Sequence, residues 1–247
     1  MLSWLGACAL GMWMMTAHAT QPGAAAHIAK RLPQAVAARI AAACGSELAT
    51  EQIDAPLLAA DTEILLVAAH PQCPCLATTL DELERVLARA RADARRPTPL
   101  ICLLAYLPTL RPKAWRHRGE TEHVRFDEIS PTLWLEDRDG ELSAMLGMRT
   151  SGHVALYGTA ETAASDSRPL RFEGGVTASR GHAGDSPGAD RLLAVLTAAD
   201  ESPSQGKSSP PGQALDVQYP VFGCALQSTH ANCADCLPRR PLEGGLR

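Results

Sequence analysis

The stretch ILLVAAHPQCPCLATTLDELERVL, Ile64–Leu87, decides the fold. Ile64–Ala69 is a short unbroken apolar run, the pattern of a strand buried on both faces of a parallel sheet. Pro71 supplies no N–H to a ladder and closes the strand after His70. Beyond the turn, Leu76, Leu80, Leu83, Leu87 and Ala90 recur at steps of three and four and draw one apolar stripe along a helix. Cys73 and Cys75 therefore stand where a strand hands over to a helix N-terminus. Unpaired N–H groups and the helix dipole favour negative charge there, a thiolate included. A second helix-start pattern, the capping box Thr79-x-x-Glu82, would begin the helix later and leave both cysteines in a longer loop.

Outward from this stretch, Leu100–Leu104 is the next apolar run. It follows Arg91, Arg95 and Arg96, cations that suit the C-terminal dipole of the preceding helix. Strand, helix, strand at this spacing is a βαβ unit with parallel strands and a right-handed crossover. Cys102, in mid-strand, reads as core. Thr132–Glu136 is a short strand, Asp137–Gly140 a turn and Glu141–Met148 a short helix closed by Gly147. His153–Tyr157 is a strand, with Leu170–Phe172 as its hairpin partner. Upstream, His27–Cys44 carries helical spacing through Ile28, Leu32, Val36, Ile40 and Ala43, interrupted at Pro33, with Gly45 as C-cap and Cys44 as a small buried residue. Asp190–Ala199 is a short amphipathic helix.

The chain has 247 residues and a net charge of −4, a balance that argues against a nucleic-acid partner. Met1–Ala19 reads as a secretory signal peptide, because an apolar run too short for a comfortable span ends in Ala17-His18-Ala19, a small-x-small cleavage pattern. No membrane span is expected after its removal, and the location is periplasmic or secreted. Residues 20–60 read as an N-terminal helical extension, 61–200 as the main α/β domain and 201–218 as a Ser/Pro/Gly-rich linker. Residues 219–247 read as a cysteine-containing tail, docked through Tyr219–Leu226 and flexible beyond. Beyond the leader stand Cys44, Cys73, Cys75, Cys102, Cys224, Cys233 and Cys236. An exported chain can form disulfides, and this odd number leaves at least one thiol or metal ligand over.

The βαβ unit with a cysteine turn resembles the thioredoxin fold, on its thiol-disulfide and peroxiredoxin-like exported bacterial branch. Three motifs narrow this: His70-Pro-x-Cys73-Pro-Cys75, the run Gly174-Gly175-Val-Thr-Ala-Ser-Arg180-Gly-His182-x-Gly184-Asp185, and Val221-Phe-Gly-Cys224. Together they are similar to thioredoxin-like proteins labelled RedB, over about Ile64–Leu226. The resemblance implies an α/β, thioredoxin-like three-layer fold, with a mixed sheet flanked by helices. It also implies a redox-capable cysteine turn working on protein thiol or disulfide partners. Two departures stand out. The usual Cys-x-x-Cys turn is one residue shorter here, and no proline occurs near Ser151 or Gly152, where the family places one opposite the active sulfur.

By analogy with thioredoxins, Cys73 is the exposed nucleophile and Cys75 its resolving partner, with a protonated His70 favouring the thiolate. Residues two apart on a helix point to opposite sides, so a Cys73–Cys75 disulfide needs Pro74 to hold Cys73 extended, and its small ring carries strain. Exchange needs no cofactor. A copper-binding version of the fold is the alternative, with the cysteine pair and a distant His153 or His182 as soft-metal ligands. In the tail, Cys224, His230, Cys233 and Cys236 have spacing for zinc or copper, with a Cys233–Cys236 disulfide as the equal alternative. Cys224 itself, in apolar surroundings, is a candidate third thiol at the turn. In the glycine-rich loop, His182 is a candidate ligand, proton donor or turn former, and Arg180 and Asp185 a pair that holds the loop.

Overall fold

The computed structural model describes residues 2–23, 27–47, 59–92, 97–109, 132–161, 167–198 and 219–226. The βαβ unit forms as the sequence dictates: β1 (Ile64–Ala69), α3 (Pro74–Ala92) and β2 (Leu100–Leu107), with β1 and β2 parallel from Ile64↔Leu100 to Ala69↔Ala105. All six residues of β1 and all eight of β2 are buried, which is why both read as unbroken apolar runs rather than alternations. Next to β2 runs β3 (Thr132–Arg138), parallel; on the other side β4 (Val154–Tyr157) pairs antiparallel with β1, and β5 (Leu170–Gly174) antiparallel with β4. The sheet order is β3-β2-β1-β4-β5.

Alternate residues of the central strands feed two cores. On one face Ile64, Leu66, Ala68, Cys102, Leu104, Ala155 and Tyr157 pack with Val36, Ile40 and Cys44 of α2 (Gln34–Glu47) and with Leu142 and Leu146 of α4 (Glu141–Leu146). On the other, Leu65, Val67, Ile101, Leu103, Val154 and Leu156 pack with Leu76, Leu80, Leu83 and Leu87 of α3 and with Leu192 and Val195 of α5 (Pro187–Thr197). The molecule is thus an α/β, thioredoxin-like three-layer structure with a mixed five-stranded sheet flanked by helices. Each fully buried Leu or Val contributes on the order of 1.5–3 kcal/mol through the apolar area it removes from water.

Local details differ from the sequence expectations for identifiable reasons. α3 begins at Pro74, the residue whose fixed φ suits the first helical position, and not at Thr79. Thr79 instead donates its hydroxyl back to the Cys75 carbonyl (3.3 Å), and Glu82 is buried. Residues 27–33 are not helical: Leu32 N–H donates to Arg168 O and Leu170 N–H to Lys30 O, so the segment lies alongside β5, and the helix waits for Pro33. Gly45 lies inside α2 rather than capping it. β3 runs on through Asp137, whose buried carboxylate accepts Leu142 N–H, Ser143 N–H and the Ser143 hydroxyl. It thereby satisfies the α4 N-terminus, because the cap residue, Gly140 at φ 76, has no side chain to do so.

Leu2–Thr20 is a helix, α1, with Trp4, Met12, Trp13 and Met15 exposed. No helix among the described residues is long and apolar enough to cross a membrane.

Candidate functional site

Cys73 lies just before the first residue of α3, at the C-terminal end of β1. Its N–H donates to His70 O (2.8 Å), and its carbonyl accepts from Leu76 N–H (3.1 Å). The sulfur is turned into the α3 side of the sheet, and the residue is 5% exposed. The Cys224 N–H donates to that sulfur at 3.4 Å, and the half-buried Cys75 and Cys224 thiols are its neighbours. A sulfur that receives hydrogen bonds is more stable as the anion. Hydrogen bonding with Cys224 and Cys75, against the opposing effect of burial, holds Cys73 below the ordinary thiol range. Cys75 and Cys224 are pushed up, first by hydrogen bonding to Cys73, then by burial and by the neighbouring negative charge.

The third thiol comes from the far end of the chain. Residues 219–226 form a strap sewn into the domain by backbone pairing. Ser151 N–H donates to Cys224 O (2.8 Å) and Leu226 N–H to Arg149 O (2.9 Å), around an antiparallel bridge between Thr150 and Ala225. Farther along, Gly175 N–H donates to Tyr219 O (3.2 Å), and Gly23 N–H to Val221 O (2.7 Å). Tyr219 also stacks on Phe172, with ring centroids 5.7 Å apart. Glycine is required at these approaches. A Cβ on Gly223 would lie 1.9 Å from Ser151 O, and one on Gly175 would lie 2.3 Å from Pro220 O. The two glycine-containing motifs of the sequence are thus the two sides of one seam.

Arg180 bridges the seam. Its guanidinium donates to Gly223 O (2.8 Å) and Gln21 O (3.2 Å), so it holds the strap and not Asp185, which is exposed. Its charge draws the Cys75 and Cys224 thiols toward ionisation, partly opposing the effect of Cys73. Gly184 N–H donates to buried Glu82 (2.5 Å), which fixes the loop to α3. Arg149 escaped sequence reading, and so did the contacts that Glu82 and Ser151 make here. Only Gly-rich spacing near a tail cysteine hinted at such a seam.

The histidines do not join the thiols. His70 is buried and its ring stacked on Tyr106 (5.7 Å, 9°), while its backbone N–H donates to Ser151 Oγ (3.0 Å). Strand alternation places it on the α2 face, and the thiols rather than His70 stabilise the Cys73 anion. His153 shares that face with Ala155 and Tyr157 and is 5% exposed. Neither of its ring nitrogens has a hydrogen-bond partner among the described residues, and burial lowers its pKa to about 4. His182 is exposed, with Nδ1 2.7 Å from Arg180 O, and closes a tight turn with Ser179. Cys73 is also not the exposed sulfur of the three, since the strap covers it. Among the described residues no group of three His, Cys, Asp or Glu side chains is arranged to hold a metal ion, and no disulfide is present. His230, Cys233 and Cys236 lie outside the described residues. Cys44 and Cys102 are core, as their context required.

No family model matches the chain, and neither does any curated protein. Among solved structures it is similar to a hypothetical protein of Sinorhizobium meliloti, at 18% identity and a TM-score of 0.45 over 68% of this chain and 80% of that one. It is also similar to an uncharacterized conserved protein of Geobacillus kaustophilus, at 12% identity and a TM-score of 0.43 over 68% and 77% of the two chains.

Proposed function

We propose that the chain is an exported thiol-disulfide exchange protein whose working group is the Cys73 thiolate. The observation that carries this reading is the gathering of Cys73, Cys75 and Cys224 in one cluster, with the Cys224 N–H on the buried Cys73 sulfur. A stabilised thiolate is a good leaving group, and a stabilised reduced form makes its disulfide oxidising. The favoured direction is therefore oxidation of protein dithiols, which needs no cofactor. The leader-like Met1–Ala19 supports a periplasmic or secreted setting, where such substrates occur.

The test is titration of the purified full chain against reduced and oxidised glutathione, with the thiol state read by alkylation and mass. A reversible two-electron couple that Cys73→Ser abolishes is the expected result. A Cys73 that never enters a disulfide under these conditions would overturn the reading.

A further inference from the structure

We infer that the disulfide partner of Cys73 is Cys224 on the strap, and not its sequence neighbour Cys75. The inference rests on the exchange reading above and specifies its chemistry. Three observations carry it. First, Cys75 lies in the opening turn of α3, with its carbonyl held by Thr79 Oγ1, so bonding it to Cys73 across Pro74 would unwind that turn. Second, Cys224 arrives on a separate segment with no short covalent ring to close, and its N–H donates to the Cys73 sulfur at 3.4 Å. Third, that segment is held by pairing with Arg149 and Ser151 and by the Arg180 guanidinium on Gly223 O, so the approach is built into the fold.

Exposure divides the work between the two sulfurs. Cys73 is 5% exposed and Cys224 half-buried, so the Cys224 sulfur is the one an incoming substrate meets. In the oxidised protein a substrate thiolate attacks Cys224; a substrate–Cys224 bond forms, the Cys224–Cys73 bond breaks, and Cys73 leaves with the electron pair as a thiolate. A second thiolate of the same substrate then attacks the substrate sulfur of the mixed disulfide and expels Cys224, which takes up a proton. The dithiol loses two electrons and two protons. The protein disulfide gains both electrons, Cys224 keeps one proton, and the other goes to solvent. Cys75 remains a thiol throughout and takes no part in the electron transfer.

The deciding experiment uses the full chain carrying Cys233→Ser and Cys236→Ser, oxidised with diamide, alkylated, digested and sequenced by mass spectrometry. A Cys73–Cys224 link is expected. Adding Cys75→Ser should shift the equilibrium with glutathione yet leave an intramolecular disulfide, whereas Cys224→Ser should weaken the couple at least tenfold. A Cys73–Cys75 link, with a couple unmoved by Cys224→Ser, would overturn the inference and leave the exchange reading standing. If Cys73 enters no disulfide at all, both fall. The peptide map requires no change at Cys224, so the answer does not depend on the folding of that variant.

Discussion

Reduced protein in which Cys73 is already an anion must release one proton on folding, and this makes its stability depend on pH in a calculable way. The unfolded thiol keeps an ordinary pKa of about 8.5, while the folded group lies far below it. A depressed folded pKa gives stability that is fully present above the unfolded pKa and declines as pH falls toward the folded one. Between pH 6 and pH 8 almost the whole proton is released on folding. Each pH unit then adds about 1.36 kcal/mol, for a total of about 2.6 kcal/mol after allowing for partial ionisation of the unfolded thiol. The perturbation is Cys73→Ser, which removes this group and leaves every other titrating residue in place. Urea unfolding of reduced wild type and variant at pH 6 and pH 8 isolates the difference. Wild type should gain about 2.6 kcal/mol more than the variant over that interval. Equal pH dependence of the two proteins would mean that the surroundings of the sulfur do not hold an anion, and the reasoning about the leaving group would fail with it.

Other outcomes follow from the same structure. His153 is buried and neutral with its pKa lowered to about 4, so its contribution is present above pH 6.5 and is lost as the pH falls toward 4. His153→Leu should flatten that acid limb by up to about 3 kcal/mol in pH-dependent unfolding, and an unchanged limb would contradict it. Gly223→Ala must push the strap off Ser151 O, at a cost of about 1–3 kcal/mol. It should also expose Cys73, which would then be alkylated faster by iodoacetamide at neutral pH. Labelling at the wild-type rate would show that the strap is not the cover. Arg168 is buried, and its guanidinium donates to the carbonyls of Ala59, Thr62 and Gly158. Arg168→Met should therefore lower stability by about 3 kcal/mol or more, read by urea unfolding, without altering the thiol titration.

What the sequence disclosed and what it hid divide along physical lines. β1, the turn and α3 were legible because two-sided burial makes a strand a continuous apolar run and one-sided burial makes a helix a stripe. The start of α3 was ambiguous because two valid helix-start signals lay five residues apart, and proline at the first position prevailed over the Thr79 capping box. The face of His70 could have been found by counting alternation from Ile64, which puts it with Leu66 and Ala68. The seam could not. Its backbone bonds join Cys224 to Ser151 and Gly175 to Tyr219 across long stretches of chain, and backbone pairing of that kind leaves no periodicity in side chains. Arg180 was visible as a loop residue, but its target, a carbonyl in the strap, was not. Glu82 read as half of a capping box and Arg168 drew no reading, since only tertiary partners explain why they are buried.

The strap also sets the terms on which any partner reaches the thiols. The backbone at Arg149–Ser151 has the same pairing groups that an extended peptide would use to add itself as a strand beside the Cys73 sulfur. Those groups are already taken by residues 224–226, and the occupant is covalently part of the same chain. A tethered competitor acts at an effective concentration of order millimolar, however dilute the protein. A free peptide offering only the same two backbone bonds would be outcompeted at ordinary cellular levels. Selectivity at this site is therefore a contest with the chain's own C-terminal segment, and a substrate succeeds either by binding elsewhere on the surface or by accepting the strap, with Cys224 on it, as the face it meets.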